Sequence, residues 1–358
     1  MKIGIFDPYL DSLSGGEKYM LSIASCLSSQ HDVFVFWDKE KESEIRQAAE
    51  KKLGVDLFSV KFYKNIFNRN ISSVTRFFDS KKFDAIIYLS DGSIPFVGTK
   101  LFVHFQFPIE WVNEKSIKTK IKLLFIKKIF CNSYFTKNFI DKKFNVKSEV
   151  LYPSVGINSV KNIKKENIIL HVGRFDVDSR GTNYKKQDVM INLFKKMIDK
   201  GLKGWEFKLA ISVKSKDEDK FKKLEEMSSG YPIKLMKNIP NKNLWECYSG
   251  AKIYWHATGY EENLRECPEK AEHFGISTVE AMGSGCVPVV FNAGGQKEII
   301  EDNENGYLCN NIEDFIFKTE ALIEDEKLLK KMSMSSMKRA ALFSKDKFCN
   351  GLKDIIFK

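Results

Sequence analysis

Two glutamates eight positions apart, Glu272 and Glu280, close the string Glu272-His273-Phe274-Gly275-Ile276-Ser277-Thr278-Val279-Glu280. Between them a glycine precedes what reads as the first turn of a helix, where backbone N–H groups lack intrahelical partners and hold phosphate. A carboxylate on either side of such an anion accepts from hydroxyl groups. Sugar, diphosphate and ribose in sequence have that layout, so the string suits a nucleotide sugar. Ser277 and Glu280 also fit a capping box, with Ser277 as N-cap and Glu280 three residues on. The residues that follow favour the ligand reading. Gly283 and Gly285 end the helix, and Val287 to Phe291 reads as a buried parallel strand, so the turn belongs to a strand-to-helix junction of an α/β sheet.

Cations follow another strand pattern that ends in His171-Val172-Gly173-Arg174. Beyond a polar loop, Lys185-Lys186-Gln187-Asp188 opens an amphipathic helix through Val189, Met190, Leu193 and Phe194. Positive side chains at a helix N-terminus oppose the macrodipole unless an anion sits there, which makes Arg174 and Lys185 candidates for a diphosphate. Ser14-Gly15-Gly16-Glu17 stands just after the first strand pattern, where glycine lets backbone approach a ligand at a helix start. Its spacing is not the G-x-G-x-x-G of a dinucleotide fold. His104 closes the run Leu101-Phe102-Val103, a position at the mouth of the sheet where an imidazole suits hydrogen bonding or proton transfer. Asp176-Val177-Asp178 looks like a metal-binding pair, but no further acidic cluster completes an oxygen cage, and it reads as solvated loop.

These residues must be carried by a sheet. Strand-like runs recur at 2–7, 32–37, 57–63, 83–90, 100–107 and 128–133, then at 167–174, 205–212, 233–239, 251–258 and 286–292, with helical patterns between many of them. That alternation predicts doubly wound parallel sheets covered on both faces. At 358 residues the chain is long enough for two domains, and 43% apolar residues supply both cores. The lysine-rich connection 160–165, after Tyr152-Pro153-Ser154, marks the boundary. Near the end, Phe348, Leu352, Ile355 and Ile356 have the spacing of a packing helix.

Lysine and arginine number 58 against 47 acids, a net charge of +11 that favours polyanions or an anionic membrane surface. The basic residues are dispersed and no nucleic-acid motif is present, so a nucleic-acid partner is not expected. Residues 111–130 interleave six lysines with isoleucine, leucine and phenylalanine, which fits docking on an anionic bilayer and equally a core helix followed by a buried strand. The seven cysteines are scattered, with no C-x-x-C spacing, and suggest neither a disulfide framework nor zinc. No run resembles a signal peptide or reaches the about 18 apolar residues of a membrane span, so cytoplasmic residence is expected, peripheral on the membrane's cytoplasmic face.

Together the motifs resemble those of the retaining glycosyltransferases of family 4, which have the GT-B architecture. The likeness spans nearly all of the chain. Ser14-Gly15-Gly16-Glu17 is similar to that family's glycine loop, Cys131-Asn132-Ser133-Tyr134-Phe135-Thr136 to its N-S-x-F-T segment, and Leu151-Tyr152-Pro153 to its interdomain connection. Val172-Gly173-Arg174-Phe175 with Lys185-x-Gln187-Asp188 resembles its phosphate-binding pair, and Glu272 to Glu280 its double-glutamate motif. The form E-H-F-G-I-S-x-V-E-A-M is similar to the branch that includes lipid-linked oligosaccharide mannosyltransferases. Lys186 departs from the pattern, standing where many relatives have glycine, and leaves Lys185 and Lys186 as alternatives for the diphosphate contact. The segment Thr258 to Ala271 is longer than in many relatives.

The resemblance implies two Rossmann-like domains, 1–158 on the acceptor side and 159–340 on the donor side, facing a cleft, with a helix at 341–358 crossing back. It implies transfer of a hexose, with GDP-mannose the preferred donor and UDP-sugars the alternative, to a glycan or polyprenyl-linked glycan, with neither metal nor cofactor. His104, Arg174, Lys185 and Glu272 would be catalytic. Gly15, Gly16, Phe274, Gly275, Ile276, Ser277 and Glu280 would bind the donor, Glu280 at the ribose. A nucleotide-sugar epimerase of the same architecture and, from another class, a basic nucleic-acid-binding protein are the alternatives.

Overall fold

Strands that are apolar along their whole length must be covered on both faces, and the sheets obey this: β4 (Ala85–Leu89) and β12 (Val287–Phe291) are buried at every position. The structure, a computed structural model, describes residues 1–11, 13, 15–39, 41–113, 116–177 and 183–358. The chain divides into two units, residues 1–154 with 345–358, and residues 155–344.

The first unit holds a seven-stranded sheet. Its strands are β1 (Lys2–Phe6), β2 (Asp32–Phe36), β3 (Lys61–Tyr63), β4, β5 (Lys100–Phe105), β6 (Ile126–Cys131) and β7 (Glu149–Val150), in the order β3-β2-β1-β4-β5-β6-β7. Helices α1 (Gly15–Leu27), α2 (Glu42–Ala48), α3 (Ser73–Ser80), α4 (Ile117–Leu124) and α5 (Tyr134–Phe144) fill the connections. The second unit repeats the plan with β8 (Glu166–Arg174), β9 (Glu206–Ser212), β10 (Ile233–Lys237), β11 (Ala251–His256), β12 and β13 (Tyr307–Cys309), in the order β10-β9-β8-β11-β12-β13. Its helices are α6 (Gln187–Asp199), α7 (Glu218–Ser228), α8 (Asn241–Gly250), α9 (Ile276–Gly283), α10 (Gln296–Ile299), α11 (Ile312–Glu324) and α12 (Glu326–Ala340). Both sheets are parallel between named strands, as the alternation predicts. In each, strand order reverses beside the first strand, between β1 and β4 and between β8 and β11, and ligands bind doubly wound sheets at that switch point.

Three sequence expectations are corrected. The strand expected over 57–63 shrinks to Lys61–Tyr63, because Phe58 N–H donates to Asp56 Oδ1 at 2.8 Å and Val60 N–H to Leu57 O at 3.0 Å, turns that precede the ladder. Strands β7 and β13, two and three residues long, escape a pattern search that needs at least four. The cysteines do pair once: Cys26 of α1 and Cys349 of the terminal helix α13 (Lys345–Phe357) form a disulfide across 323 residues. α13 groups with the first unit, burying Phe348, Leu352, Ile355 and Ile356 as its spacing predicts, with Phe348 edge-on to Tyr19 of α1 at 5.3 Å.

Candidate active site

The second unit gathers its chemistry at the carboxyl ends of β8 and β11, the two strands that flank the reversal of order. β8 ends in Gly173-Arg174, and a side chain at Gly173 would stand 2.9 Å from His171 Nε2. Glycine there lets buried Gln187, the first residue of α6, reach back and donate to Arg174 O at 3.0 Å. The strand end and the helix start are thereby tied. Arg174 itself is exposed.

Lys185 and Lys186 form the turn into α6. Lys186 takes the N-cap with φ +53°, in the left-handed region that glycine enters at little cost. A glycine preference at this position therefore has a conformational cause. The geometry also separates the two lysines. Lys185 Nζ lies 2.7 Å from Glu272 Oε2, whereas Lys186 Nζ is 2.7 Å from Glu262 Oε1, in the long segment that precedes Glu272. Lys270 Nζ reaches the other oxygen of Glu262 at 2.8 Å. Burial works to raise the Glu262 carboxyl, but the two ammonium groups outweigh it and hold it low. That segment is further fastened by Tyr260, whose ring lies 4.5 Å from that of Phe291.

Glu272 is the centre of the arrangement. Its Oε2 accepts from Lys185 and also lies 2.9 Å from His256 Nε2, at the end of β11. Burial would raise this carboxyl, yet the charge of Lys185 and the bond from His256 keep it well below the usual range. Burial holds the His256 ring below its ordinary value, so it is neutral near pH 7 and donates its Nε2 proton to the carboxylate. His256 Nδ1 has no hydrogen-bond partner among the described residues. The backbone is fixed as firmly: Gly295 N–H donates to Glu272 O at 2.7 Å, and a Cβ at Gly294 would meet that oxygen at 2.2 Å. Only a glycine pair lets the Glu272 segment lie so close. Sequence reading missed His256, a strand-end histidine whose only cue is its position just before the loop that leads to the motif.

The capping-box reading of Ser277 and Glu280 is overturned. Gly275, at φ +119°, is the N-cap of α9 and offers no side chain to cap the helix. Ser277 Oγ instead meets the Tyr254 hydroxyl at 2.8 Å, and Glu280 Oε2 accepts from the Tyr248 hydroxyl at 3.1 Å. Both tyrosines are buried, which pushes their hydroxyl pKa up and keeps them donors. The head of α9 thus has glycine rather than a side-chain acceptor at its N-cap, a helix start suited to an anion. Phe274 is buried and packs edge-on against Phe343 at 5.4 Å. Lys185, Glu272, Gly275, Ile276, Ser277 and Glu280 are therefore within one framework, with Arg174 at the neighbouring strand end.

Of the remaining expected residues, all but Asp176 and Asp178 belong to the first unit. His104 is fully buried rather than open at the sheet mouth, stacked on Tyr19 at 4.1 Å and Phe130 at 4.7 Å, with Nδ1 bonded to Phe130 O at 3.1 Å. Burial pushes it down to about 3, so the ring is neutral. Gly15 and Gly16 open α1, and Gln106 Nε2 donates to Gly16 O at 3.0 Å. Ser14 and Asp178 lie outside the described residues; Asp176 is exposed, as a solvated loop requires. In the first unit, Asp7 just after β1 is buried, and desolvation followed by the charge of Glu17 pushes it up to about 8.

Residues 157–339 match the family profile described as "Glycosyl transferases group 1". Over the whole chain the protein is similar to alpha-1,3/1,6-mannosyltransferase ALG2 of Dictyostelium discoideum, 25% identical, with 100% of this chain and 98% of the relative covered. A shorter likeness, 25% identical over 48% of this chain and 36% of the relative, is to GDP-Man:Man(3)GlcNAc(2)-PP-Dol alpha-1,2-mannosyltransferase of Xenopus tropicalis. Among solved structures, Anabaena Alr3699/HepE in complex with UDP superposes with a TM-score of 0.76 at 16% identity, over 99% of each chain. That match is one of fold, and the fold is GT-B, two Rossmann-like α/β domains. The profile takes in just over half of the 358 residues and contains every residue of the Lys185, His256 and Glu272 cluster: this chain belongs to the group 1 glycosyl transferases and is a glycosyltransferase.

Proposed function

We propose that the protein is a retaining, family 4 hexosyltransferase that moves mannose from GDP-mannose to a lipid-linked glycan. The observation that carries this reading is the Glu272 carboxylate, held between Lys185 at 2.7 Å and His256 at 2.9 Å and followed three residues on by Gly275, the N-cap of α9. A carboxylate kept ionised accepts from sugar hydroxyls. An ammonium group beside it has two further N–H bonds to give to diphosphate oxygens. The helix head completes the anion cradle through the N–H groups of Ile276 and Ser277. Lys185 and Arg174 then stabilise charge that grows on the departing diphosphate, an effect larger in the transition state than in the bound ground state.

In this scheme a donor phosphate oxygen takes the acceptor proton on the face from which the diphosphate leaves. The sugar keeps its anomeric configuration without a covalent enzyme intermediate or a metal. Glu280 takes the ribose hydroxyls while Tyr248 fixes its carboxylate, and Phe274 packs beneath the sugar-binding backbone. Mannose and GDP are favoured by the relatives of ALG2 type and by the GDP-Man-dependent relative, and UDP by the UDP complex of the structural neighbour. The test is to incubate the enzyme with GDP-mannose or UDP-glucose and a short lipid-linked acceptor, then read the product anomer by NMR. An α-mannoside from the α-configured donor is expected. An inverted product, or an isomerised sugar formed without acceptor, overturns the reading.

A further inference from the structure

Helix α4 turns most of its apolar residues outward. A short amphipathic helix on a sheet normally turns its apolar stripe inward. In α4 no residue is buried, and Ile117, Ile121 and Leu124, spaced to share one face, are 76%, 50% and 83% exposed. The inward side is mixed: Leu123 is partly buried against the first unit's core, Thr119 Oγ1 donates to Asn113 O at 3.2 Å, and Lys122 Nζ donates to Ile94 O. Lys118 and Lys120 flank the outward stripe by helical spacing.

The stripe does not stand alone. Phe125, 56% exposed, meets Phe96 edge-on at 5.2 Å, and Phe96 stacks on Phe77 of α3 at 5.3 Å. From α3, Val74 and Phe78 are also exposed, at 67% and 62%. Lys81 Nζ lies over the rings of Phe77 and Phe78 at 4.9 and 5.3 Å. Eight of the eighteen large apolar side chains exposed among the described residues thus fall between Val74 and Phe125. Scattered exposed residues need no explanation, but a contiguous patch does.

The charge around the patch selects its partner. No acid occurs from Ser116 to Lys128, and Asp79 of α3 is neutralised by Lys82 at 2.7 Å and Lys64 at 3.5 Å. Aliphatic and aromatic side chains on the outer face, with lysines on both flanks to reach phosphates, are the composition of an interfacial helix. We propose that α3, the turn at Phe96 and α4 form one docking surface that lays the first unit on an anionic lipid bilayer. The aliphatic stripe of α4 enters the boundary between headgroups and acyl chains, and Lys81, Lys118, Lys120 and Lys127 lie at the lipid phosphates. The surface belongs to the first unit and the Glu272 cluster to the second, so the inference does not rest on the donor reading.

Flotation with phosphatidylcholine vesicles, with and without phosphatidylglycerol, tests it. The wild-type chain should float with the anionic vesicles and dissociate as salt is raised. The triple variant Ile117→Ser, Ile121→Ser, Leu124→Ser should bind at least about tenfold more weakly, since each exposed aliphatic side chain contributes by its buried area. Lys118→Gln with Lys120→Gln should lose about fivefold per lysine. Both variants alter exposed groups and should keep the wild-type melting temperature and activity on a soluble acceptor. Indifference of the wild type to anionic vesicles, or equal binding by the triple variant, overturns the proposal. So does a wild-type dimer that the triple variant disperses while no vesicle is bound, which would assign the patch to a second copy.

Discussion

A carboxylate next to an ammonium group is an ordinary ion pair; what distinguishes Glu272 is the third member. His256, neutral through burial, spends its Nε2 proton on the same oxygen that Lys185 holds, so one oxygen of Glu272 takes both bonds and the other has no partner among the described residues. This makes a direct prediction. Glutamine at 256 keeps an N–H donor and alanine does not, so His256→Ala should lower kcat by roughly tenfold to a hundredfold, the cost of misplacing a group that acts in the transition state, while His256→Gln recovers part of it. Steady-state kinetics at fixed pH compare the two variants. Equal activity in both would deny His256 its positioning role. The sequence names Glu272 and Lys185 because each lies in a contiguous motif, whereas His256 is sixteen residues upstream of its partner and meets it only when β11 and the Glu272 segment are folded together.

At the scale of elements, the start of α9 shows how far pattern alone reaches. The string Ser-x-x-Glu is a capping box in any isolated helix, and only the backbone decides otherwise: Gly275 occupies the cap at φ +119° and carries the chain past Gln296 and Ile299. A methyl group there would face Gln296 Nε2 at 2.9 Å in a conformation that side chains rarely adopt. Gly275→Ala should therefore cost the second unit roughly 1–3 kcal/mol and weaken nucleotide binding further, measured by thermal unfolding with and without GDP. Unchanged stability and affinity would remove the argument. Long apolar strands and the terminal helix were legible because their periodicity is strong. The short strands β7 and β13 were not, since pairing with a longer neighbour rather than their own pattern makes them strands. The Cys26–Cys349 bridge has no sequence signature at all, as its partners are brought together by the packing of α13 on α1. Likewise, the run at 111–130 left docking on an anionic bilayer and a core helix followed by a buried strand equally open; α4 buries no residue, while β6 is buried from Ile129 to Cys131.

For the molecule as a whole, buried ionisable groups squeeze stability from both sides of the pH scale. Asp7 titrates near 3.8 when exposed and is pushed up to about 8 in the fold. Between those values the unfolded chain releases a proton that the folded chain keeps, so stability is lost as pH rises from about 4 to 8. His104 in the first unit and His171 in the second are pushed by burial to about 3. There the sign reverses: below about 6.5 the unfolded chain takes up protons that the folded chain refuses, and stability is lost as pH falls toward 3. Asp7→Asn removes the alkaline arm alone. Calorimetric melting of this variant against wild type should show a gain that grows from pH 5 to pH 8; a difference independent of pH would contradict the burial of an uncharged Asp7.

The two-sheet plan was readable from alternation and the Glu272 and Lys185 motifs from their spacing, but Glu272, Lys185 and His256 come from three segments that only the fold assembles. The claim that rests on this assembly is that Lys185 and Glu272 hold an activated sugar by its diphosphate and its hydroxyls. Isothermal titration of GDP, GDP-mannose, UDP and UDP-glucose into wild-type, Lys185→Ala and Glu272→Ala protein tests it most directly. The account predicts that Lys185→Ala weakens the free diphosphate and its sugar alike, whereas Glu272→Ala weakens only the sugar-bearing ligand, each by about tenfold or more. Wild-type affinities for all four ligands in both variants would contradict it.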